Sequence, residues 1–156
     1  MTVQKQSLLV FTTLLVAGFA VTAPQIALSA ETSVEVNPEN NSNLDSLLRQ
    51  GRELVDLGDY GKAIAIYQQA ARLDTENSRI FSGIGYLEAR QGNYKAAVEF
   101  YQQAIDLEPN NADFQYALGY AMANLQNYPA AAAAYRRAAQ LDRKNVNALI
   151  GLGVVL

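Results

Sequence analysis

The chain has 156 residues, half of them apolar, with 12 Lys and Arg against 15 Asp and Glu, and neither His nor Cys. That length and apolar share suit about one domain with a packed core and argue against disorder throughout, while a formal charge of −3 argues against a general nucleic-acid binder, which needs basic residues in excess to neutralise phosphates. Without Cys or His the chain has no disulfide, thiolate nucleophile, Cys/His zinc site or imidazole base, so most familiar active sites cannot be assembled, and no cofactor or metal is expected.

The first 30 residues form a piece of their own. One positive charge at Lys5 precedes an apolar run from Leu8 to Val21, followed by Pro24 and the small-residue stretch "ALSA" ending at Ala30. This resembles a secretory signal peptide cut near Ala30. The run is shorter than the ~20 apolar residues a membrane span needs, and a retained membrane anchor is the alternative. The chain is therefore expected to be exported through the secretory route, or else membrane-anchored, and to touch a membrane only through this segment. Residues 31–43, "ETSVEVNPENNSN", are polar, acidic and interrupted by Pro38, which suits a flexible linker; Asn40 and Ser42 fit a glycosylation acceptor pattern.

From Leu44 onward the chain writes one phrase three times: "LGDYGKAIAIYQQA", "QGNYKAAVEFYQQA" and "LQNYPAAAAAYRRA". Tyr60, Tyr94 and Tyr128 stand 34 residues apart, which sets units 44–77, 78–111 and 112–145 and a cut-off fourth, 146–156. Small residues recur at Gly51, Gly85, Gly119 and Gly153, where two backbones are expected to approach closely. Ala63, Ala97 and Ala131, then Ala70, Ala104 and Ala138, recur likewise in the second halves. Bulky residues recur between them: Tyr60, Tyr94 and Tyr128, then Tyr67, Tyr101 and Tyr135, then Leu73, Leu107 and Leu141. All nine are expected to fill the packing between helices. Apolar positions 63, 66, 67, 70 and 73 each have another of the set three or four residues away, the signature of one helical face, so each unit predicts two helices.

The boundaries carry their own signals. Gly58–Asp59, Gly92–Asn93 and Gln126–Asn127 with Pro129 mark tight turns within the units. Pro109 stops the helix before it, and Asn111 can cap the one that follows, with Asn77 and Asn145 at the same offset. A hairpin this short cannot bury its own apolar face, so the units must stack on one another.

The 34-residue period with Gly, Tyr, Ala, Tyr and Ala at these offsets resembles the tetratricopeptide repeat family. The resemblance covers residues 44–156. It implies an all-α solenoid, a right-handed superhelix whose first helices line a concave binding groove. Gln50 and Glu88 depart from the family by standing where apolar or aromatic residues are usual, and Phe114 sits one residue before the usual aromatic position, which Gln115 takes.

Carried over residue by residue, the groove offsets give Arg52, Tyr86, Tyr120 and Val154 in one column, Leu48, Ser82, Tyr116 and Ile150 in a second, and Asp56, Arg90 and Asn124 in a third. The expected partner-binding residues are Arg52, Arg79, Tyr86, Arg90, Tyr116, Tyr120 and Asn124: an aromatic strip flanked by guanidiniums able to grip a carboxylate or carbonyl. The alternative for Tyr86, Tyr116 and Tyr120 is that they complete packing within the repeats. The family's carboxylate clamp for chaperone tails, built on Lys and Asn, is not reproduced, since Leu48, Arg52, Arg79, Gly83 and Tyr86 occupy its places.

Other signals are weaker. "GIGYLE" at 83–88 follows no strand and lacks the third glycine of a dinucleotide-binding loop. Glu53 and Asp56 sit on solvated positions beside basic residues. Arg136, Arg137, Arg143 and Lys144 make the third unit basic, a feature more in keeping with a solvated helix face than with a docking site. The apolar ending "VNALIGLGVVL" leaves an open edge that implies either further repeats in a longer parent or a homodimer. These observations lead to the expectation of a non-enzymatic, exported scaffold that binds a protein or peptide in its groove, in assembly of an envelope or membrane complex. The recruiting domain of a larger enzyme and a membrane-tethered assembly factor are the alternatives.

Overall fold

The computed structural model describes residues 38–156. The expected signal peptide or anchor, residues 1–30, and the first part of the linker lie outside the described residues. Seven helices follow one another among the described residues: α1 (Pro38–Asp56), α2 (Tyr60–Leu73), α3 (Ser78–Arg90), α4 (Tyr94–Leu107), α5 (Ala112–Asn124), α6 (Tyr128–Leu141) and α7 (Val146–Val155). They form three antiparallel hairpins, α1–α2, α3–α4 and α5–α6, and each second helix also packs on the first helix of the next unit, with α6 against α7. The result is an all-α solenoid of stacked hairpins. Among the described residues, no helix is long and apolar enough to cross a membrane.

The stacking is set by a glycine–tyrosine fit that repeats with the sequence. A Cβ on Gly85 would fall 2.9 Å from ring carbons of Tyr101, and one on Gly119 would fall 2.7 Å from the ring of Tyr135. Gly51 meets Tyr67 more closely still. No side chain larger than hydrogen fits there, so glycine is required for space, even though it costs about 1 kcal/mol of helix propensity. Tyr135 is wedged from both sides, because a Cβ on Gly151 of α7 would fall 2.6 Å from it.

Around these seats the apolar residues collect in two clusters. One joins Ala63, Ile64 and Ala70 of α2 to Ile80, Ile84 and Leu87 of α3. The other joins Tyr101, Ala104 and Ile105 of α4 to Phe114, Leu118 and Ala121 of α5. Ile84 and Leu87 are fully buried, each worth about 1.5–3 kcal/mol of transfer free energy. Phe114 is buried as well; it stands 34 residues after Ile80, so the displaced aromatic occupies an inherited core position and repairs the departure at Gln115.

The turns inside each hairpin share one geometry. The N–H groups of Asp59, Asn93 and Asn127 donate to the carbonyls of Leu54, Glu88 and Met122 at 2.9, 2.9 and 3.0 Å. The residue before each is left-handed, with φ of 76° at Gly58, 82° at Gly92 and 61° at Gln126. This is the Schellman ending that glycine normally supplies, and the third copy places a glutamine in it. At helix starts, Asp59, Asn111, Asn127 and Asn145 accept backbone N–H bonds through their side chains, and Pro129 sits in the first turn of α6.

Five expectations are corrected. α1 starts at Pro38, so residues 38–43 are helical rather than linker; proline's fixed φ and missing N–H suit a first helical position. Asn77 makes no capping bond; its side chain is tied instead through its amide, which donates to Asp74. Leu73 and Leu107 are exposed, being the last residues of their helices. Tyr128, at the opposite end of its helix, is half exposed rather than buried. Gly153 is not a seat, since no atom lies within 4 Å of where its Cβ would stand.

Two polar ties secure the middle unit. Ser78, buried at the start of α3, donates its hydroxyl to the Glu108 carboxylate at the end of α4, and Asn111 donates to the same carboxylate. Those bonds, the Ser78 one foremost, hold the carboxyl below its ordinary pKa.

Candidate functional site

Helices α1, α3, α5 and α7 line one face of the solenoid, and the crevices between them form three concavities in register with the repeat. The first, about 350 Å³, is lined by Leu48 and Arg52 of α1 and by Arg79, Ile80 and Gly83 of α3. The second, about 280 Å³, lies between Tyr86, Ala89 and Arg90 of α3 and Tyr116, Ala117 and Tyr120 of α5. The third, about 350 Å³, lies between Tyr116, Tyr120 and Asn124 of α5 and Asn147, Ile150 and Val154 of α7. Each has a second-helix tyrosine in its lining: Tyr67, Tyr101 and Tyr135 in turn. The three tyrosines that seat the glycines therefore also floor the groove.

All seven residues named from the sequence line these concavities. Arg52 and Arg79 share the first. Tyr86, Arg90, Tyr116 and Tyr120 meet in the second, while Tyr116, Tyr120 and Asn124 reach the third. Burial separates the tyrosines. Tyr86 and Tyr120 keep 50% and 45% of their surface exposed, whereas Tyr116 leans on the floor, its ring 5.8 Å from that of Tyr135. Tyr120 is braced edge-on by Tyr94 at 6.3 Å. Tyr86 and Tyr120 thus offer aromatic surface to solvent, and Tyr116 divides its surface between packing and the groove.

Arg90 is not a free arm. Its Nη2 donates to the Tyr60 hydroxyl at 3.2 Å, and its guanidinium lies 5.6 Å from the Tyr60 ring centre and 5.9 Å from that of Tyr86. The hydrogen bond to Tyr60, with smaller help from Tyr86, strengthens its hold on its proton. The cation is thereby fixed in orientation beside the exposed face of Tyr86. Asn124 is likewise partly committed: its Nδ2 donates to the Tyr120 carbonyl at 2.8 Å, leaving its side-chain oxygen as an acceptor.

The floor is apolar enough to alter its own chemistry. Burial pushes the Tyr101 and Tyr135 hydroxyls up to about 12, and raises Tyr67 and Tyr94 in the same direction. In the sequence these floor tyrosines and the brace residues Tyr60 and Tyr94 read as packing alone. Their 34-residue register with the glycines was the available signal for a second role.

Two family models described as tetratricopeptide repeat match the chain, one over residues 48–112 and the other over 88–150. The chain belongs to the tetratricopeptide repeat family. No curated protein matches it. Among solved structures, this tetratricopeptide chain is similar to the first such domain of Spaghetti (RPAP3) bound to an HSP90 peptide, at 21% identity and a TM-score of 0.70 over 73% of this chain and 90% of that one. It is similar to the Yersinia enterocolitica type III secretion chaperone SycD in complex with a peptide of the translocator YopD, at 18% identity and a TM-score of 0.71 over 76% and 96%. It is also similar to Thermobaculum terrenum O-GlcNAc transferase, at 22% identity and a TM-score of 0.68 over 77% of this chain but 23% of that one. At such identities the likeness is one of fold.

Proposed function

We propose that the chain is a non-enzymatic, exported scaffold that holds a protein or peptide partner along the face of α1, α3, α5 and α7, in assembly of an envelope or membrane complex. The observation that carries this reading is the pair Tyr86 and Tyr120. Each leaves about half of a large aromatic surface in solvent on a concave face, while Tyr101, at the bottom of the same concavity, is buried. Exposed aromatics over rigid apolar floors are the usual anchors of a binding surface. Two of the fold neighbours, RPAP3 and SycD, carry peptides in their structures, which supports a peptide-holding role here. Export rests on the sequence of residues 1–30.

The test is affinity capture from the native envelope with the Y86A/Y120A chain as control, followed by titration of the captured partner. The double variant should bind at least tenfold more weakly while keeping its far-UV circular dichroism. Unchanged affinity, or loss of helicity, would defeat the groove reading. Mass spectrometry of the mature N-terminus tests export separately: a start near Glu31 fits a cleaved signal, and a retained N-terminus fits the membrane-tethered assembly factor. The O-GlcNAc transferase neighbour, in which the matched part is 23% of the chain, favours as second reading the recruiting domain of a larger enzyme. A catalytic domain in the same native polypeptide would decide for it.

A further inference from the structure

The three concavities share a floor but differ in chemistry along the groove. In the first, Arg52 and Arg79 stand on neighbouring helices above Tyr67. Among the described residues neither guanidinium has a carboxylate within ion-pair distance, and the ion pair present there is Lys62–Asp59, at 2.5 Å. The two acids nearest in effect do not neutralise them. Asp56 lies one turn along α1 from Arg52, both close enough to act on the Tyr67 hydroxyl. Glu108 feels Arg79, but its carboxylate is already held by Ser78 and Asn111. Both arginines are exposed, so their forked donors are ready for a carboxylate from outside, which they can grip in bidentate fashion.

The second concavity is aromatic, with its one cation locked between Tyr60 and Tyr86. The third is bordered by Ile150 and Val154, which are 60% and 79% exposed. Charge at one end therefore gives way to apolar surface at the other.

Resting on the peptide-binding reading above, we infer that the ligand is an extended peptide carrying one acidic side chain and two bulky apolar ones at three-residue intervals. The acid sits over Arg52 and Arg79, and the apolar pair over Tyr101 and Tyr135. The interval follows from the repeat: first helices of successive units line each concavity together at a spacing on the order of 10 Å, and an extended chain advances about 3.3 Å per residue. Extension follows from the polar groups along the groove. An extended backbone brings unpaired N–H and C=O groups that need partners, and Arg52, Arg79, Asn124 and Asn147 supply donors and an acceptor; a helical ligand would satisfy its own.

The probe is a random twelve-residue display library panned against the full chain, with R52Q/R79Q and Y86A/Y120A chains panned in parallel. Enriched sequences should carry Asp or Glu, then an aromatic or aliphatic residue three positions on and another three beyond, in either chain direction. On R52Q/R79Q the acid preference should vanish and the apolar pair remain. For the best peptide, replacing its acid by the amide should weaken binding about tenfold to the parent chain and less than twofold to R52Q/R79Q. An apolar pair without an acid preference, an acid preference that survives R52Q/R79Q, or a seven-residue helical spacing overturns the proposed polarity and leaves the groove standing. Enrichment indifferent to Y86A/Y120A, or no enrichment, overturns the groove reading as well.

Discussion

α3 and α7 are two readings of one pattern, and they end in opposite environments. In α3, Ile84 is fully buried and Gly85 receives the Tyr101 ring. In α7, Leu152 stands at the place of Ile84 but is only partly buried, and Gly153, at the place of Gly85, meets nothing. Leu149, Ile150 and Val154 are exposed beside them. The difference lies in the neighbours. α3 packs against α2 on one side and α4 on the other, whereas α7 packs on α6 and touches α5. In a stack of hairpins, what a position buries is a property of the next hairpin as much as of its own residue.

The sharpest way to break the comparison is to empty a seat. Tyr101→Ala removes a ring that fits Gly85 and floors the central concavity, and should cost about 3–5 kcal/mol in a urea melt; Tyr86→Ala, on the exposed side of the same concavity, should cost under about 1 kcal/mol. Equal losses would show that the groove and the core are not distinct surfaces.

Alkali should attack the same seats without mutation. A tyrosine whose folded pKa is raised contributes stability that is complete below its unfolded value near 10 and is lost as pH climbs through about 12, the position of Tyr101 and Tyr135. Absorbance at 295 nm should therefore show a late tyrosinate step that coincides with loss of helical circular dichroism between those two pH values. A late step completed with helicity intact would refute the linkage.

Gly85→Ala and Gly153→Ala apply one change to the two environments. At Gly85 the new methyl collides with Tyr101 and with the Ala97 carbonyl, and overpacking should exceed the helix-propensity gain, leaving a net loss of about 1–2 kcal/mol. At Gly153 the space is open, and the same change should stabilise by a few tenths of a kcal/mol, up to about 1. Chemical denaturation of the pair should give opposite signs. The smallest effect concerns a turn. Gln126 holds φ of 61° where its counterparts are Gly58 and Gly92, so Gln126→Gly should raise stability by about 0.5–1 kcal/mol, read as a rise in melting temperature.

Much of this architecture was legible because the 34-residue period sets helix pairs, turns and glycine positions together. That the seven named residues line the concavities was legible for the same reason, since each sits at a fixed offset in a first helix. What escaped the sequence depended on contacts between units. Arg90 reads as a free donor until Tyr60, 30 residues earlier, is seen to hold it. Tyr128 repeats Tyr60 and Tyr94 in the sequence, yet it remains half exposed. Asn77 and Asn111 occupy one offset and each gives its amide to the acid three residues before it, yet only Asn111 also accepts backbone N–H bonds. Pro38 reads as a linker breaker, because proline stops a helix in its interior and starts one at its first turn.

The bond from Ser78 to Glu108 ties the first residue of α3 to the loop that leaves α4, so the central hairpin is buckled at its open end. The third unit has Ala112 where the second has Ser78 and cannot fasten itself this way. Because the carboxyl is held below its ordinary range, the buckle stays shut from neutral pH well into mild acid and opens only as pH falls through that lowered value. The hairpin that carries Tyr86 and Arg90 is therefore one whose outline depends on a carboxylate staying ionised.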